Sequence, residues 1–373
     1  MVDADSGHLY RLRFEPRDLV ILKFLAIAGL IYLFILSITL LGASFKLFGE
    51  EFAEGIFQVT ANPIVGLVIG VLSTAIIQSS STTTSIVVGL VASGVLPFQA
   101  AIPMVMGANI GTSITNTIVS IGHISRRAEF QRAFTGAMLH DIFNVCAVAV
   151  LLPLEIYFHI IEKSARFLES LFAGFGGLKF SSPMATATKP VADMILHITG
   201  DNGWIGVIIA LLFLFIALRY IVKVLKSMVL ARVEKFFQRY IFRTPALGFI
   251  LGIAITTMVQ SSSITTSIVV PLLGAGVLTT VQIYPYLLGA NVGTTITAFL
   301  ASFVTGSTDA VAVAFAHLMF NVYGIAIFWP LKRVPIFLAT KLGNMTAKSK
   351  LVPVTYILVV FFMIPGLIIY FME

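Results

Sequence analysis

The sequence predicts an all-α polytopic membrane protein made of two inverted-topology repeats, whose re-entrant or discontinuous helix hairpins meet at the bilayer midplane. Three observations lead to this fold class: a high apolar content, a polar segment that occurs twice, and a charge difference between two equivalent loops. Of the 373 residues, 58% are hydrophobic and 11% are charged. A soluble globule of this size needs a larger share of polar residues, so the composition indicates an integral membrane protein.

The polar segment begins at Gln78 as Gln-Ser-Ser-Ser-Thr-Thr-Thr-Ser and returns at Gln260 as Gln-Ser-Ser-Ser-Ile-Thr-Thr-Ser. With the Ile-Val-Val that follows each copy, ten of eleven positions are identical, and the one mismatch is Thr82 against Ile264. A helix with such a run is polar on every face, which lipid does not tolerate, so the segment must face protein, water or a ligand. Two such breaks in one membrane protein predict a binding site.

The first repeat is predicted to begin with a spanning helix at residues 19–41, whose basic N-terminal flank places the N-terminus in the cytoplasm. Only about fifteen apolar residues precede the polar segment, fewer than a spanning helix needs. Residues 63–96 are therefore interpreted as a hairpin with its break at membrane depth. A small-residue segment at 103–120 and a spanning helix at 134–154 follow.

The composition changes after residue 155, where charged residues alternate with apolar ones at helical spacing and a Gly-, Ser- and Thr-rich stretch follows. This pattern predicts an interfacial amphipathic helix and then an external loop, which together separate the repeats. The chain is thus divided into a cytoplasmic N-terminal segment (1–18), a first repeat (19–155), this linker (156–203), a second repeat (204–330), and a C-terminal region (331–373) with an interfacial segment and a last transmembrane helix.

Basic residues determine the predicted orientation. The net charge is +7, and the Lys and Arg residues lie in short segments between apolar runs, which indicates membrane topology rather than nucleic-acid binding. One loop of the first repeat contains Arg126, Arg127 and Arg132, whereas the equivalent loop of the second, residues 305–309, has no basic residue. By the positive-inside rule the two loops lie on opposite sides of the membrane, so the repeats are predicted to be inverted.

The residue types at the predicted breaks suit two ligands at once. Hydroxyls, amides and freed carbonyls are uncharged oxygen ligands for a weakly held alkali cation, and the N-terminal ends of half-helices attract an oxyanion. A cation and an anion bound together neutralise each other where either alone is costly to bury. This is the physical basis of coupled symport. The alternative is that the Ser and Thr side chains only hydrogen-bond helices to one another.

Equivalent Asn and His residues lie deeper in the apolar segments. Asn109 and Asn291 each belong to a Gly-Ala-Asn-x-Gly sequence, which predicts either an amide ligand or a close helix-packing motif. His140 and His317 are also equivalent, and each is interpreted either as a ligand or as a satisfied core histidine.

Asp141 has no acidic counterpart, because its repeat equivalent is Leu318. An ionisable group within a spanning segment is costly and is therefore a functional candidate. We predict that Asp141 contributes a cation ligand or a charge that tunes coupling. The structural alternative is an ion pair with a basic residue near the end of its helix.

The sequence contains no evident cluster of metal ligands, no Gly-x-Ser-x-Gly elbow and no Gly-x-x-x-x-Gly-Lys loop. An enzyme is therefore not predicted, and no cofactor is expected.

Several motifs together resemble the type II sodium-dependent phosphate cotransporters. They are the repeated Gln-Ser-Ser-Ser, the Asn109-Ile110-Gly111-Thr112-Ser113 segment that runs into Thr115-Asn116-Thr117, Arg132-Ala133-Phe134, His140-Asp141-x-Phe143-Asn144, and Leu151-Leu152-Pro153-Leu154-Glu155. In that family the two Gln-Ser-Ser-Ser segments lie on opposed re-entrant hairpins that form the phosphate and sodium sites. The resemblance covers about residues 62–155 and 244–330, and it implies sodium-coupled symport of inorganic phosphate into the cell by alternating access.

The resemblance and the chemistry of the breaks together give two sets of predicted site residues. The set predicted for phosphate is Gln78, Ser79, Ser80, Ser81, Gln260, Ser261, Ser262 and Ser263. The set predicted for Na⁺, the coupling ion and the only metal expected, is Thr82, Thr83, Asn109, Thr112, Asp141, Thr265, Asn291 and Thr294. Because the chain lacks the large glycosylated, disulfide-bonded loop of animal members, it is similar to a bacterial form in an inner membrane. A sodium-coupled carrier of another oxyanion or small carboxylate, and a passive anion channel, remain as alternatives.

Overall fold

The structure is a computed structural model that describes residues 16–174, 183–240, 244–346 and 348–372. Within these ranges the chain is helical and contains no strand. The helices are α1 (Pro16–Lys46), α2 (Gly49–Thr60), α3 (Pro63–Ile77), α4 (Ser80–Ala92), α5 (Phe98–Gly111), α6 (Ser113–Ile121), α7 (Arg127–Phe158), α8 (Ile160–Gly174), α9 (Pro183–Ile198), α10 (Gly203–Tyr240), α11 (Pro245–Val259), α12 (Ser262–Ser267), α13 (Val269–Gly274), α14 (Thr280–Thr305), α15 (Thr308–Phe328), α16 (Arg333–Thr346), α17 (Val352–Leu358) and, after a π-helical turn (Val359–Met363), α18 (Ile364–Met372). The predicted all-α fold class is confirmed.

Six stretches of the described residues are long and apolar enough to cross a membrane. They are Ile21–Lys46, Arg127–Phe158, Gly203–Val224, Thr280–Thr305, Thr308–Phe328 and Val352–Phe371. Helices α2 and α3 pass the same test only as a pair, and they are bent by 99° at their junction. These lengths and compositions identify a multi-pass membrane protein.

The two predicted helix breaks are found at equivalent places. Helices α3 and α11 each contain 15 residues, and each ends immediately before its Gln-Ser-Ser-Ser sequence. At 1.5 Å per residue such a helix is about 22 Å long, shorter than the roughly 30 Å hydrocarbon core. Each is therefore a half-helix, and the chain turns back through α4 in the first repeat and through α12 and α13 in the second.

Equivalent helices also pack on equivalent partners, because α3 contacts α5 and α11 contacts α14. One difference breaks this correspondence. The segment after the first hairpin is divided at Thr112 into α5 and α6, whereas its counterpart α14 is continuous. The single segment predicted for 103–120 is thus two helices. The inverted orientation of the repeats remains a prediction.

The linker contains more helix than the sequence analysis predicts. The amphipathic helix is present as α8, but residues 183–198 form α9 where a loop was expected. Ala192 and Leu196 are buried in a cluster with Leu36 and Leu40 of α1, so packing stabilises a helix that the Ser- and Thr-rich composition obscured. The rest of the predicted loop, residues 175–182, and the first 15 residues of the N-terminal segment lie outside the described residues.

Helix α7 lies at the centre of the fold. It contacts α5, α6 and α8 as well as α13, α14, α15 and α16 of the later part of the chain. Phe134 and Met138 are fully buried and Phe143 is 1% exposed. The polar residues of α7 are therefore held in the interior between the two repeats.

Candidate substrate and ion site

Each hairpin tip is formed by the same local chemistry. Helix α3 ends at Gln78, which adopts the left-handed conformation with φ 56°, and Ser79 is extended with φ −150°. The Ser79 Oγ accepts a hydrogen bond from the backbone N–H of Thr82 at 3.2 Å, which caps α4. Gln260 and Ser261 repeat this geometry, with φ 55° and −153°. A left-handed non-glycine residue is strained and is found preferentially at functional sites.

The two tips meet at one cavity of about 620 Å³. Its walls carry polar residues from both Gln-Ser-Ser-Ser sequences, hydrophobic residues from α3 and α10, and one arginine. The polar and charged lining residues are Gln78, Ser79, Ser81, Thr82, Thr115, Arg219, Gln260, Ser261 and Ser263. Residues 182 positions apart in the chain (260 minus 78) are thus brought to a single site.

Within each tip the serines have different roles. Ser79 and Ser261 cap the helices that follow. Ser81 and Ser263 line the cavity, and neither hydroxyl makes a hydrogen bond among the described residues. Their hydrogen-bonding capacity is therefore available to a ligand.

Ser80 and Ser262 were predicted to bind phosphate, but the structure does not place them on the cavity wall. Both are 4% exposed, and neither lines the cavity. Ser80 and Ser262 are the first residues of α4 and α12, and successive helical residues point about 100° apart. Their side chains therefore leave the tip on a different side from those of Ser81 and Ser263.

The side chains of Gln78 and Gln260 are not hydrogen-bonded in the same way. Thr297 donates a hydrogen bond to Oε1 of Gln260 at 2.8 Å, and the Gln260 amide nitrogen donates to the carbonyl of Thr257 at 2.5 Å. The equivalent pair in the first repeat, Thr115 and Gln78, makes no such bond, and the Thr115 hydroxyl is buried without a partner in the described structure. The first half of the site consequently offers more free oxygen ligands than the second.

A crossed hydrogen-bond network joins the repeats beside the hairpins. His140 Nε2 contacts the Asn291 side-chain oxygen at 2.6 Å, and His317 Nε2 contacts that of Asn109 at 3.3 Å. Asn291 also donates to Asn144 Oδ1 at 2.8 Å. The oxygens of Asn109 and Asn291 that were predicted to bind Na⁺ therefore already face histidines, and their role as ion ligands stays a prediction.

Four threonines of the predicted sodium set donate to a carbonyl one helical turn earlier. The acceptors for Thr83, Thr112, Thr265 and Thr294 are the carbonyls of Ser79 (3.2 Å), Ala108 (3.0 Å), Ser261 (2.9 Å) and Ala290 (3.0 Å). A hydroxyl that donates in this way still has lone pairs, although the Thr83 hydroxyl uses one to accept from Thr74 at 3.0 Å, so a cation ligand role is compatible with these bonds.

Asp141 is fully buried on α7. Its Oδ2 accepts a hydrogen bond from the Tyr356 hydroxyl at 2.6 Å. No ion pair with a lysine, arginine or histidine is found for Asp141 in the described ranges, so the structural alternative considered for this residue finds no support.

Asn116 fixes the second hairpin to the first repeat. Its side chain donates to the Thr266 hydroxyl at 2.9 Å and accepts from Ser267 at 3.2 Å. The repeat equivalent of Asn116 is Ala298, and the hydroxyls equivalent to Thr266 and Ser267, those of Thr84 and Ser85, are buried without a partner in the described structure. The two hairpins are thus held differently in spite of their nearly identical sequences.

A group of potential metal ligands, which the sequence analysis did not find, lies at the junction of α7 and α8. The ligand atoms of Glu155, His159 and Glu162 lie within 4.8 Å of one another. Hydrogen bonding explains the arrangement, since Glu155 accepts from the backbone N–H groups of Ile161 at 2.6 Å and Glu162 at 3.1 Å. Glu155 is thereby the N-terminal cap of α8.

Sequence reasoning did not select Arg219, Thr115 or Tyr356 as site residues. In the sequence analysis Arg219 counts only among the basic residues that indicate topology, and Tyr356 is included only in the C-terminal region 331–373. A comparison of the two repeats could have found Thr115, because Thr115 and Thr297 occupy the same position after the two Gly-Ala-Asn-x-Gly sequences.

Comparison with known proteins identifies relatives along most of the chain. The family model described as Na⁺/Pi-cotransporter matches residues 33–184 and 212–347. The sodium-dependent phosphate transport protein 2A of Ovis aries is 35% identical, covering 98% of this chain and 70% of the relative. Protein 2B of Homo sapiens is 32% identical, covering 92% of this chain and 64% of the relative. No solved structure gives a significant match.

Proposed function

The chain belongs to the Na⁺/Pi-cotransporter family, and we propose that it is a secondary active transporter that couples Na⁺ entry to uptake of inorganic phosphate by alternating access. The single observation that carries this proposal is the cavity shared by the two Gln-Ser-Ser-Ser tips. The relatives are named as sodium-dependent phosphate transport proteins, which supports phosphate over another oxyanion or a small carboxylate.

The site suits a hydrated oxyanion together with a cation. The cavity, of about 620 Å³, has room for an oxyanion, a cation and water. Hydroxyls of Ser81 and Ser263 would donate to phosphate oxygens, and the N-terminal end of α4 adds free backbone N–H groups and partial positive charge. Hydroxyl and amide oxygens of the first tip, Gln78, Thr82 and Thr115, would coordinate Na⁺. Mutual neutralisation of the two ions makes their joint transfer less costly than that of either alone.

The cellular setting is part of the proposal. The basic loops favour a cytoplasmic N-terminus, and we place the protein in the inner membrane of a bacterium. Transport without chemical conversion of phosphate, and therefore no enzymatic activity, follows from the same assignment.

Uptake of labelled phosphate into proteoliposomes tests the function. An inwardly directed Na⁺ gradient is expected to drive accumulation above equilibrium, and a K⁺ gradient of the same size is not. Arsenate, sulfate and small carboxylates added in excess establish which anion competes. Phosphate entry that is indifferent to the Na⁺ gradient would identify a passive channel instead.

Arg219 is expected to raise the local concentration of phosphate at the site. It is the one charged side chain among the described residues that line the cavity, and a cation at the mouth of a low-dielectric cleft attracts anions. Arg219→Gln should raise the phosphate concentration for half-maximal uptake about fivefold and weaken its dependence on ionic strength. Lys223→Gln, one turn further along α10 and outside the cavity lining, is the matched control. Equal phosphate affinities in the two variants would exclude this role.

A further inference from the structure

Only one oxygen of the buried Asp141 carboxylate has a hydrogen-bond partner among the described residues. Its Oδ2 accepts the short hydrogen bond from Tyr356, while Oδ1 has no partner in the described structure. The neighbouring Ser113 hydroxyl donates to the carbonyl of Ile110 at 2.8 Å instead. A buried carboxylate without a compensating charge is costly, so an unpartnered oxygen in this position indicates a cation.

Tyr356 packs between two aromatic neighbours. Its ring packs edge-on against Phe134 of α7, with centroids 6.5 Å apart and an interplanar angle of 87°. A second edge contact joins it to Phe361 at 6.1 Å, and Phe361 is fully buried. These two contacts pack the ring beside Asp141, to which its hydroxyl donates.

The backbone after Tyr356 is irregular. Residues 359–363 form a π-helical turn, and single π-helical turns inside α-helices are frequent at functional sites. Phe361 belongs to this turn, so the irregular segment supplies one of the two rings that hold Tyr356.

Tyr356 lies outside both repeats and beyond residue 347, where the family match ends. Its partner Asp141 is also found in one repeat only, because the equivalent position is Leu318. The hydrogen bond therefore belongs to one half of the molecule, and the C-terminal helix provides it.

We propose that Tyr356 is a positioning residue for Na⁺ coupling: its hydroxyl holds Oδ2 of Asp141 and leaves Oδ1 as the oxygen that a Na⁺ ion coordinates. This inference rests on the proposed function, and it gives the C-terminal helix a part in binding a Na⁺ ion at Asp141, which does not itself line the cavity between the tips. A tyrosine that only stabilised packing would contribute to folding and would leave the Na⁺ dependence unchanged.

The variant Tyr356→Phe removes one oxygen atom and keeps the ring. The Na⁺ concentration for half-maximal uptake should rise about tenfold, the effect expected when a charged group loses one hydrogen bond. The half-saturating phosphate concentration, measured at saturating Na⁺, should stay within about twofold. Titration of Na⁺ against the thermal stability of the purified protein gives the same comparison without transport.

Tyr284→Phe is the matched control. Tyr284 is 1% exposed, packs edge-on against Phe143, and donates its hydroxyl to the carbonyl of Phe328 at 3.0 Å. Its loss should lower thermal stability and leave the Na⁺ dependence at the wild-type value. Equal Na⁺ shifts in the two tyrosine variants would overturn the proposal.

A double-mutant cycle with Asp141→Asn tests whether Tyr356 acts through Asp141. In the Asn background, Tyr356→Phe should change the Na⁺ dependence little further, because the two residues form one unit. Additive shifts would overturn the proposal. Wild-type protein whose phosphate uptake ignores Na⁺ would refute the proposed function, whereas Na⁺-coupled wild-type uptake with an unshifted Phe variant would refute this inference alone.

Discussion

Replacing Ser81 and Ser263 together by alanine is expected to raise the phosphate concentration for half-maximal uptake about a hundredfold while the protein remains folded. Both serines line the cavity, and within the described structure neither hydroxyl forms a hydrogen bond that the substitution would remove. Each would donate to a charged oxyanion, and such a bond contributes about 1.5–3 kcal/mol. Initial rates of labelled phosphate uptake at saturating Na⁺ measure the effect.

The neighbouring serines, Ser80 and Ser262, provide a control, because they differ from Ser81 and Ser263 mainly in the direction of their side chains. Ser80 and Ser262 are equally small and buried but do not line the cavity, so their double alanine variant should keep a phosphate affinity within a few-fold of wild type. Ser79 and Ser261 are unsuitable for this comparison, because loss of a helix cap itself costs about 1 kcal/mol. If the double alanine variant of Ser81 and Ser263 and that of Ser80 and Ser262 lose phosphate affinity equally, the assignment of Ser81 and Ser263 to the cavity wall is wrong.

The hairpin tips could be predicted from the sequence because their chemistry is local. A Gln in the left-handed conformation and a Ser that caps the next helix need only the residues beside them. Because the second repeat has the same residues at its tip, the same geometry is predicted at Gln260 and Ser261. The helix of residues 183–198 was missed for the opposite reason, since its burial against α1 is a tertiary contact.

The contacts that connect the site to the rest of the protein are long-range and were not predictable in the same way. His140 and Asn291 are 151 residues apart, and Asp141 and Tyr356 are 215 apart. Hydrophobic periodicity reports local structure and does not indicate contacts between residues so far apart in the sequence. The equivalence of the two histidines suggested a shared role, but only the structure shows that each histidine contacts the asparagine of the other repeat.

The hydrogen bonds of the two hairpins differ, because nearly identical hairpin sequences pack against different residues. The alignment of the two repeats places Ala298 opposite Asn116. The consequence, that the buried hydroxyls of Thr84 and Ser85 have no partner among the described residues, depends on helix packing. The second hairpin is hydrogen-bonded to the first repeat through Asn116, whereas the first hairpin lacks the corresponding bond. Sequence symmetry therefore overstates the symmetry of the interactions that hold the tips.

The glycines of the two Gly-Ala-Asn-x-Gly sequences lie at close helix contacts, as the packing interpretation predicts, while the role of Asn109 and Asn291 as amide ligands stays a prediction. A Cβ on Gly107 would collide with the backbone carbonyl of Leu67, and a Cβ on Gly289 with that of Phe249. These crossings, α5 on α3 and α14 on α11, place each half-helix against the segment that follows its hairpin. Backbone on both sides of the contact leaves no flexible side chain to move away.

Gly107→Ala and Gly289→Ala are each expected to leave little or no folded protein. A single methyl group must push two helices apart at a backbone-to-backbone contact, which costs about 3 kcal/mol, the upper end of the usual range for overpacking, and shifts a hairpin away from its tip geometry. Gly29→Ala in α1 is the control, because no atom lies within 4 Å of a Cβ there, and alanine in a helix is favoured over glycine by about 1 kcal/mol. The amount of monodisperse protein after size-exclusion chromatography in detergent measures the outcome. Wild-type yield and thermal stability for either crossing variant would mean that the helices are not in direct backbone contact.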